Sequence, residues 1–290
     1  MNKDKFELHY KISQKHTTIS ALEQCCLEEN IHLSKSHLKQ AISKGALWLT
    51  QGNHTQRLRR LKKNLQQGDE LHFYYNEMVL AAKVSDAVLI SDETDYSVWY
   101  KPYGMLSQGS KWSDHCTIER FSQQNLTPER SVFIVHRLDR AATGLMLIAH
   151  SKKAARALSA LFEHRTTKDN SLEKFYQIIV HGNHSTSVQP EVITTDVDGK
   201  SAQSTFTCLA YNEELDKSLI QVKIDSGRKH QIRIHAASIG LPVLGDRLHG
   251  IAEESETKNL QLCAISLRFT CPLSGVDKFF ELNNELKIKL

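Results

Sequence analysis

The chain has 290 residues, enough for about two domains and a sizeable core. Its 37 Lys and Arg against 33 Asp and Glu leave a net charge of only +4, which by itself identifies no partner. The charge is uneven, however. Residues 1–75 hold 12 Lys or Arg and 7 Asp or Glu, so they carry +5 and the remainder is close to neutral, a bias that suits an RNA-touching N-terminal module or simply a solvated face. Cys25, Cys26, Cys116, Cys208, Cys263 and Cys271 show no CxxC spacing, which argues against a zinc site or disulfide framework. Met1–Lys11 is polar and lacks the apolar core of a secretory signal. No run reaches the length of a membrane span. These features predict a soluble cytoplasmic protein with reduced thiols and no membrane partner.

The first predicted element is a helix over 18–29, carrying Ile19, Leu22, Cys26 and Leu27. A second helix starts near Ser34 or Ser36, either of which can cap it, and stops at Gly45. Ala46–Thr50 reads as a short strand and Gln51-Gly52-Asn53 as a turn. Arg57–Lys63 follows, with five basic residues in seven, and fits either a phosphate-binding patch or an exposed helix face. Gly68-Asp69 turns into a strand over 70–75. The Ser-Lys-Ser helix start, Lys44-Gly45 and the Gly-Asp turn resemble the small RNA-binding domain known as the S4-like domain. Leu49-Thr50-Gln51-Gly52 stands where Val-Asn-Gly is usual, and the usual opening Arg-Leu-Asp is missing. The resemblance implies that Lys35, Lys39, Arg59, Arg60 and Lys63 contact phosphates, setting salt-dependent affinity rather than sequence choice. It places an RNA-binding domain over residues 1–80 and a second domain over 81–290.

Strands are predicted over 88–90 and 97–100, followed at once by Lys101-Pro102-Tyr103-Gly104. Proline holds Lys101 extended and Gly104 permits a tight turn. Residues 107–130 read as loop with a short helix. Ser131–Val135 is apolar and β-branched. It leads into His136-Arg137-Leu138-Asp139-Arg140, then Thr143-Gly144 and another apolar run, a strand, loop and strand pattern. A carboxylate between Arg137 and Arg140 should stay ionised, as a nucleophile or base or as a structural ion pair. Ser151 caps a helix over 151–162 with Ala155, Leu158 and Phe162 on one face. Lys174-Phe175-Tyr176 opens a strand, in which Tyr176 serves either the core or a base-stacking site.

Strands follow over 191–195, 204–209 and 219–224. Then come Ser226-Gly227-Arg228-Lys229-His230-Gln231-Ile232-Arg233 and Gly240-Leu241-Pro242-Val243-Leu244-Gly245-Asp246. A late strand pattern spans 260–269, and a polar strand is expected over 279–290 at a sheet edge. Many strands with few helices over 89–290 predict an α+β domain with a large, mostly antiparallel sheet.

The ordered set Lys-Pro-x-Gly, His-Arg-Leu-Asp with Thr-Gly, Lys-x-Tyr, and Gly-Arg-x-His-Gln-Ile-Arg with Gly-x-Pro-x-x-Gly-Asp resembles the pseudouridine synthases, in the branch that acts on large-subunit ribosomal RNA and on transfer RNA. The resemblance implies a mixed sheet with a cleft across its middle and Asp139 as the catalytic carboxylate. It gives Tyr176 a stacking and proton-removing role beside the base, and Leu262 the apolar position under it. The first Arg of the third motif, Arg228, is then expected to pair with Asp139 at ~3 Å. His230, Gln231 and Arg233 would shape the helix start, Asp246 would order a loop, and Arg137 and Arg140 would meet substrate. The implied reaction needs no cofactor and no metal. RNA is the expected partner, ribosomal RNA being favoured over transfer RNA, and the chain is expected to act as a monomer with no obligate protein partner. A catalytically idle RNA-binding or ribosome-assembly factor is the other class. A hydrolase pairing Asp139 with a His is disfavoured by the flanking arginines.

Overall fold

The computed structural model describes residues 4–163, 172–185, 190–251 and 258–290. The chain divides into two compact units, Met1–Lys83 with Gln108–Phe121, and Val84–Ser107 with Ser122–Leu290. Residues 108–121, which a division at residue 80 assigns to the second unit, thus pack with the first.

The first unit runs β1 (Lys5–Lys11), β2 (His16–Thr17), α1 (Thr18–Glu28), α2 (Lys35–Ser43), β3 (Leu47–Gln51), β4 (His54–Arg57), β5 (Asn64–Leu65), β6 (Glu70–Asn76) and α3 (Glu77–Ala81). An antiparallel sheet has the order β1-β6-β3-β4, and β2 pairs separately with β5. Alternation places Phe6, Leu8, Leu47, Leu49, Leu71 and Phe73 on one sheet face. They share a core with Leu22 and Cys26 of α1 and Leu38 and Ile42 of α2. Ser34 is the cap of α2, accepting from the His37 N–H at 3.2 Å. Arg57–Lys63 is not a helix face. Arg57 ends β4, and the buried Leu58 bonds through its N–H to the Leu47 carbonyl at 2.8 Å, which keeps this stretch extended.

The second unit contains β7 (Val88–Asp92), β8 (Tyr96–Lys101), β9 (Phe133–Ile134), β10 (Thr143–Ala149), α5 (Lys152–Glu163), β11 (Leu172–His181), β12 (Glu191–Ile193), β13 (Ser204–Asn212), β14 (Lys217–Ile224), α6 (Gln231–Ser238), β15 (Leu262–Thr270) and β16 (Asp277–Glu281); α4 (Ile118–Asn125) runs across the division between units. Its sheet has the order β12-β13-β14-β11-β15-β10-β8-β7, with β16 on β15 and β9 on β10. The pairing is antiparallel except between β10 and β15, which run parallel over Thr143–Gly144 and Cys263–Ala264. The fold is therefore α+β with a large, mostly antiparallel sheet, as the strand-rich pattern predicts. One core joins α5 to β8, β10 and β15, and another joins α6 to β11, β13 and β14. The terminal strand is shorter than expected. It stops at Glu281, because Asn283 turns the chain by accepting from the Leu286 N–H, after which Leu286 and Ile288 pack on the first of these cores.

Candidate active site

Asp139 lies on the loop joining β9 to β10, and the Lys-Pro-x-Gly segment is hydrogen-bonded to that loop. The N–H of Gly104 donates to the Arg140 carbonyl at 2.9 Å, at a residue whose φ of +80° glycine adopts without strain. Ser107 Oγ donates to the Leu138 carbonyl at 2.8 Å and accepts from the Leu138 N–H at 3.1 Å. The Lys101 ammonium is fully buried and reaches the carbonyls of Pro102, Met105 and Arg140 at 3.2, 2.9 and 3.4 Å. Burial pushes its pKa down to about 7, against the opposing field of Asp139. His136 packs at 4.1 Å on the Phe162 ring and accepts from the Leu147 N–H, which secures the start of the loop.

The carboxylate is held by Arg233, not by Arg228. Arg233 Nη1 donates to Asp139 Oδ2 at 3.1 Å. The same guanidinium grips Asp246 bidentately, Nε to Oδ2 at 2.7 Å and Nη2 to Oδ1 at 2.6 Å. Burial raises the Asp246 carboxyl, but Arg233 and the N–H groups of Leu248 and His249 outweigh it and hold the group below the usual carboxylate range. Burial also opposes the charge on Arg233, and the two carboxylates reverse the sign, leaving its pKa raised. Arg228 instead precedes α6 on an exposed turn. Its Nε donates to the Ser201 carbonyl at 3.2 Å and its N–H to Gln231 Oε1 at 3.1 Å. The expected Arg228–Asp139 pair is thereby corrected, since the helix places Arg233, five residues on, against the loop. The signal for this was available in Asp246. An arginine on a buried helix position requires carboxylate partners, and Gly245-Asp246 supplies one.

His230 reaches Asp139 Oδ2 with Nε2 at 3.6 Å. Desolvation lowers its pKa against the opposing field of Asp139, and the nearer cation on the carboxylate is Arg233 at 3.1 Å. His230 adopts φ +56°, a left-handed conformation that a non-glycine residue holds only under constraint. Gln231 supplies it by accepting from Ser226 Oγ at 2.7 Å and donating to the Gln203 carbonyl at 2.8 Å, which pins the entry to α6.

Tyr176 stands on β11 beside a register shift between Phe175 and Tyr176. With Leu262, Arg137, Arg228 and Asp139 it lines one cleft, so five residues singled out from the sequence meet there. Leu262 is buried and Tyr176 half-buried. Lys174 donates to the Ser226 carbonyl at 3.0 Å, tying the tyrosine strand to the turn before α6. Arg137 and Arg140 are exposed, and Arg140 Nε donates to the Gly104 carbonyl at 3.3 Å. Arg140 lines a second cleft with Asp139, Tyr103 and His230. Neither arginine forms the ion pair with Asp139 that the sequence order suggests, because adjacent positions on this loop diverge. Among the described residues no cluster of three His, Cys, Asp or Glu has metal-binding geometry.

The N-terminal cations belong to the first unit and divide into two sets. Arg59 is committed to Asp114 and to the Ser43 carbonyl, and Lys63 donates to Gln51 Oε1 at 2.8 Å. Lys35 pairs with Glu23 at 3.0 Å on the surface, while Lys39 and Arg60 are exposed.

Residues 95–238 match the family model described as RNA pseudouridylate synthase. An uncharacterised RNA pseudouridine synthase of Aquifex aeolicus is 29% identical over 279 residues, spanning 86% of this chain and 85% of that protein. Ribosomal large subunit pseudouridine synthase C of Yersinia pestis is 29% identical over 239 residues, 73% of this chain and 72% of the relative. Among solved structures, human RNA pseudouridylate synthase domain containing 1 shares the fold with a TM-score of 0.56 at 19% identity, over 70% of this chain and 85% of that one. A carboxylate on a braced loop, an arginine between two acids, and a tyrosine and a buried leucine lining the same cleft lie within or beside the matched span, and the chain belongs to the RNA pseudouridine synthase superfamily.

Proposed function

We propose that the protein isomerises a uridine in structured large-subunit ribosomal RNA to pseudouridine. The observation that carries the reading is Asp139, oriented by Arg233 at the edge of a cleft that Tyr176 and Leu262 also line. In the reaction the N1–C1′ bond of uridine breaks, the uracil turns over, a C5–C1′ bond forms, and the C5 hydrogen leaves as a proton. Asp139 serves either by attacking C1′ as the base departs with the bonding pair, or by taking a ribose proton. Arg233 keeps it ionised and aimed for both courses. Tyr176 stacks on the flipped uracil and assists removal of the C5 proton, with Leu262 beneath the ring. Arg228, exposed at the rim, fills the gap left in the RNA by the flipped base. The exchange is redox-neutral, so a carboxylate suffices without a cofactor.

The preference for ribosomal over transfer RNA draws on relatives such as the Yersinia pestis enzyme, whose name assigns it to the large ribosomal subunit. It draws also on the first unit, which we read as an S4-like RNA-binding domain whose phosphate contacts offset the cost of unpairing. We read the enzyme as a monomer working in the cytoplasm. The test is tritium release from 5-tritiated uridine in unmodified bulk ribosomal RNA and, separately, bulk transfer RNA, with wild type and Asp139→Asn. Release from ribosomal RNA by wild type alone is expected. Release from transfer RNA alone moves the substrate, release by Asp139→Asn removes the role given to the carboxylate, and tight binding without release leaves an idle RNA-binding factor.

A further inference from the structure

One face of the first unit's four-stranded sheet is closed by α1 and α2, and the other face has a different composition. Strand alternation places Lys5, Glu7 and His9 of β1, His72 and Tyr74 of β6, and Trp48 of β3 on that outer face. Lys111 and Trp112 lie along it. The Trp48 indole N–H donates to the Lys111 carbonyl at 3.0 Å, and the Trp112 ring meets Tyr74 edge-on with centroids 6.0 Å apart. Tyr74 in turn meets His9 at 5.9 Å. Cations sit among the rings. Lys111 Nζ lies 5.0 Å from the Tyr74 centroid, Lys5 Nζ 5.0 Å from Trp112, and the Arg57 guanidinium 4.3 Å over Trp48.

Part of this arrangement is plainly structural. Arg57 bonds to the Ser110 carbonyl at 2.8 Å and to Asp114 at 3.2 Å, so Arg57 and Trp48 hold residues 110–114 in place. Lys5, Tyr74 and the Trp112 ring are not needed for that. Lys5 and His9 are exposed, and Tyr74 and Trp112 are half-buried. The acids nearby are already matched, Glu7 by Lys111 at 2.6 Å and Asp114 by Arg57 and Arg59, and Glu70 stands opposite Lys11 in the strand register. What is left over is positive charge beside accessible ring surface. Every base offers a π face to such rings and every nucleotide a phosphate to such cations, whereas a duplex hides its bases.

We propose that this outer sheet face binds an unpaired stretch of RNA, with bases stacked on Tyr74 and Trp112 and a phosphate met by Lys5, while Lys111 stays with Glu7. The site lies across the sheet from α2, so it is separate from Lys35 and Lys39. It rests on the reading that the substrate is RNA, and it assigns the first unit a grip on single-stranded segments in addition to phosphate contacts.

The test uses the full chain and a labelled oligouridine about 15 nucleotides long, single-stranded or annealed to oligoadenosine. The single strand should bind more tightly than the duplex. Tyr74→Ala and Trp112→Ala should each weaken single-strand binding about tenfold, as loss of one stacked base does. Lys5→Gln should reduce the slope of log affinity against log salt by about 0.7. Failure of the single strand to bind, or wild-type affinity in both folded ring variants, overturns the proposal. If Trp112→Ala does not fold, Trp112→Phe and Lys5→Gln decide the matter. Retained binding in the first with a reduced salt slope in the second supports the site, and an unchanged slope overturns it. Tritium release by wild type, run alongside, reports separately on the isomerase reading. Ring-dependent binding without release refutes the isomerase and keeps this site, and release with ring-independent binding does the reverse.

Discussion

Arg233 illustrates how one side chain can set a site. It bridges the fully buried Asp246 and the partly exposed Asp139, so its planar fork fixes one carboxylate relative to another. Lysine cannot reproduce that geometry. Arg233→Lys is expected to lower kcat for tritium release by about a hundredfold with little change in KM, because misplacing a reacting group by about 1 Å costs that much. An equal loss in RNA affinity would show that Arg233 acts on binding instead. Lys101 gives a second prediction at this scale. Its folded pKa lies near 7, below the ordinary lysine value, so the unfolded chain binds one more proton than the folded chain between about pH 7 and pH 10.5. In that window stability from this group must rise with pH, by at most about 1.4 kcal/mol per unit. Urea unfolding from pH 7 to 9 should show this rise in wild type and lose it in Lys101→Met. The methionine also leaves three buried carbonyls without their shared donor, at about 2 kcal/mol. Asp139 itself was legible from the sequence, since a carboxylate in an ordered motif is a local signal. Its partner was harder to read, because which of two arginines five residues apart meets a distant loop depends on where α6 begins, and only the distant Asp246 points to Arg233 as the buried one.

The seam between β10 and β15 dictates a glycine. Gly144 has φ +115°, and a Cβ there would collide with the backbone N, Cα and O of Ala264. The two strands touch in parallel at just this point, immediately after the loop that carries Asp139. Gly144→Ala is therefore expected to destabilise the protein by about 3 kcal/mol, from overpacking together with a disfavoured backbone conformation. A thermal melt should show a fall of roughly 6–12 °C, given about 2–4 °C per kcal/mol in a domain of this size. An unchanged melt would mean that the seam opens without cost. At this scale the sequence spoke clearly wherever periodicity or a cap was strong, as in α1, α2, α5 and most of the large sheet. It misled where context decided. β1 alternates Lys-Phe-Glu-Leu-His-Tyr-Lys, yet its charge hid the pattern until Phe6 and Leu8 were seen in the core. Arg57–Lys63 fitted either a phosphate-binding patch or a charged helix face, but Leu58 anchors it to the core and Arg57 and Arg59 are committed to Asp114, a partner more than 50 residues away that no local pattern reveals.

For the whole molecule the charge split matters more than the net charge. Residues 1–75 carry +5 and the remaining residues about −1, so attraction for a polyanion is concentrated on the first unit. Several of those cations are already spent within the fold. Arg59 is tied to Asp114 and Lys63 to Gln51, and an internally paired cation releases few counterions on binding. Lys39 and Arg60 are exposed. Lys39→Gln and Arg60→Gln should each flatten the salt dependence of binding to ribosomal RNA by close to one phosphate's worth, a slope change of about 0.7–0.9. In tritium release they should raise KM while kcat at saturating RNA holds, since neither belongs to the unit that carries Asp139. Arg59→Gln should differ in kind. It leaves Arg57 to hold Asp114 alone, so its main effect should be a lower melting temperature, with a salt slope near that of wild type. If Arg59→Gln flattens the slope and Lys39→Gln and Arg60→Gln do not, then the internal ion pairs open on RNA binding and the exposed cations are bystanders.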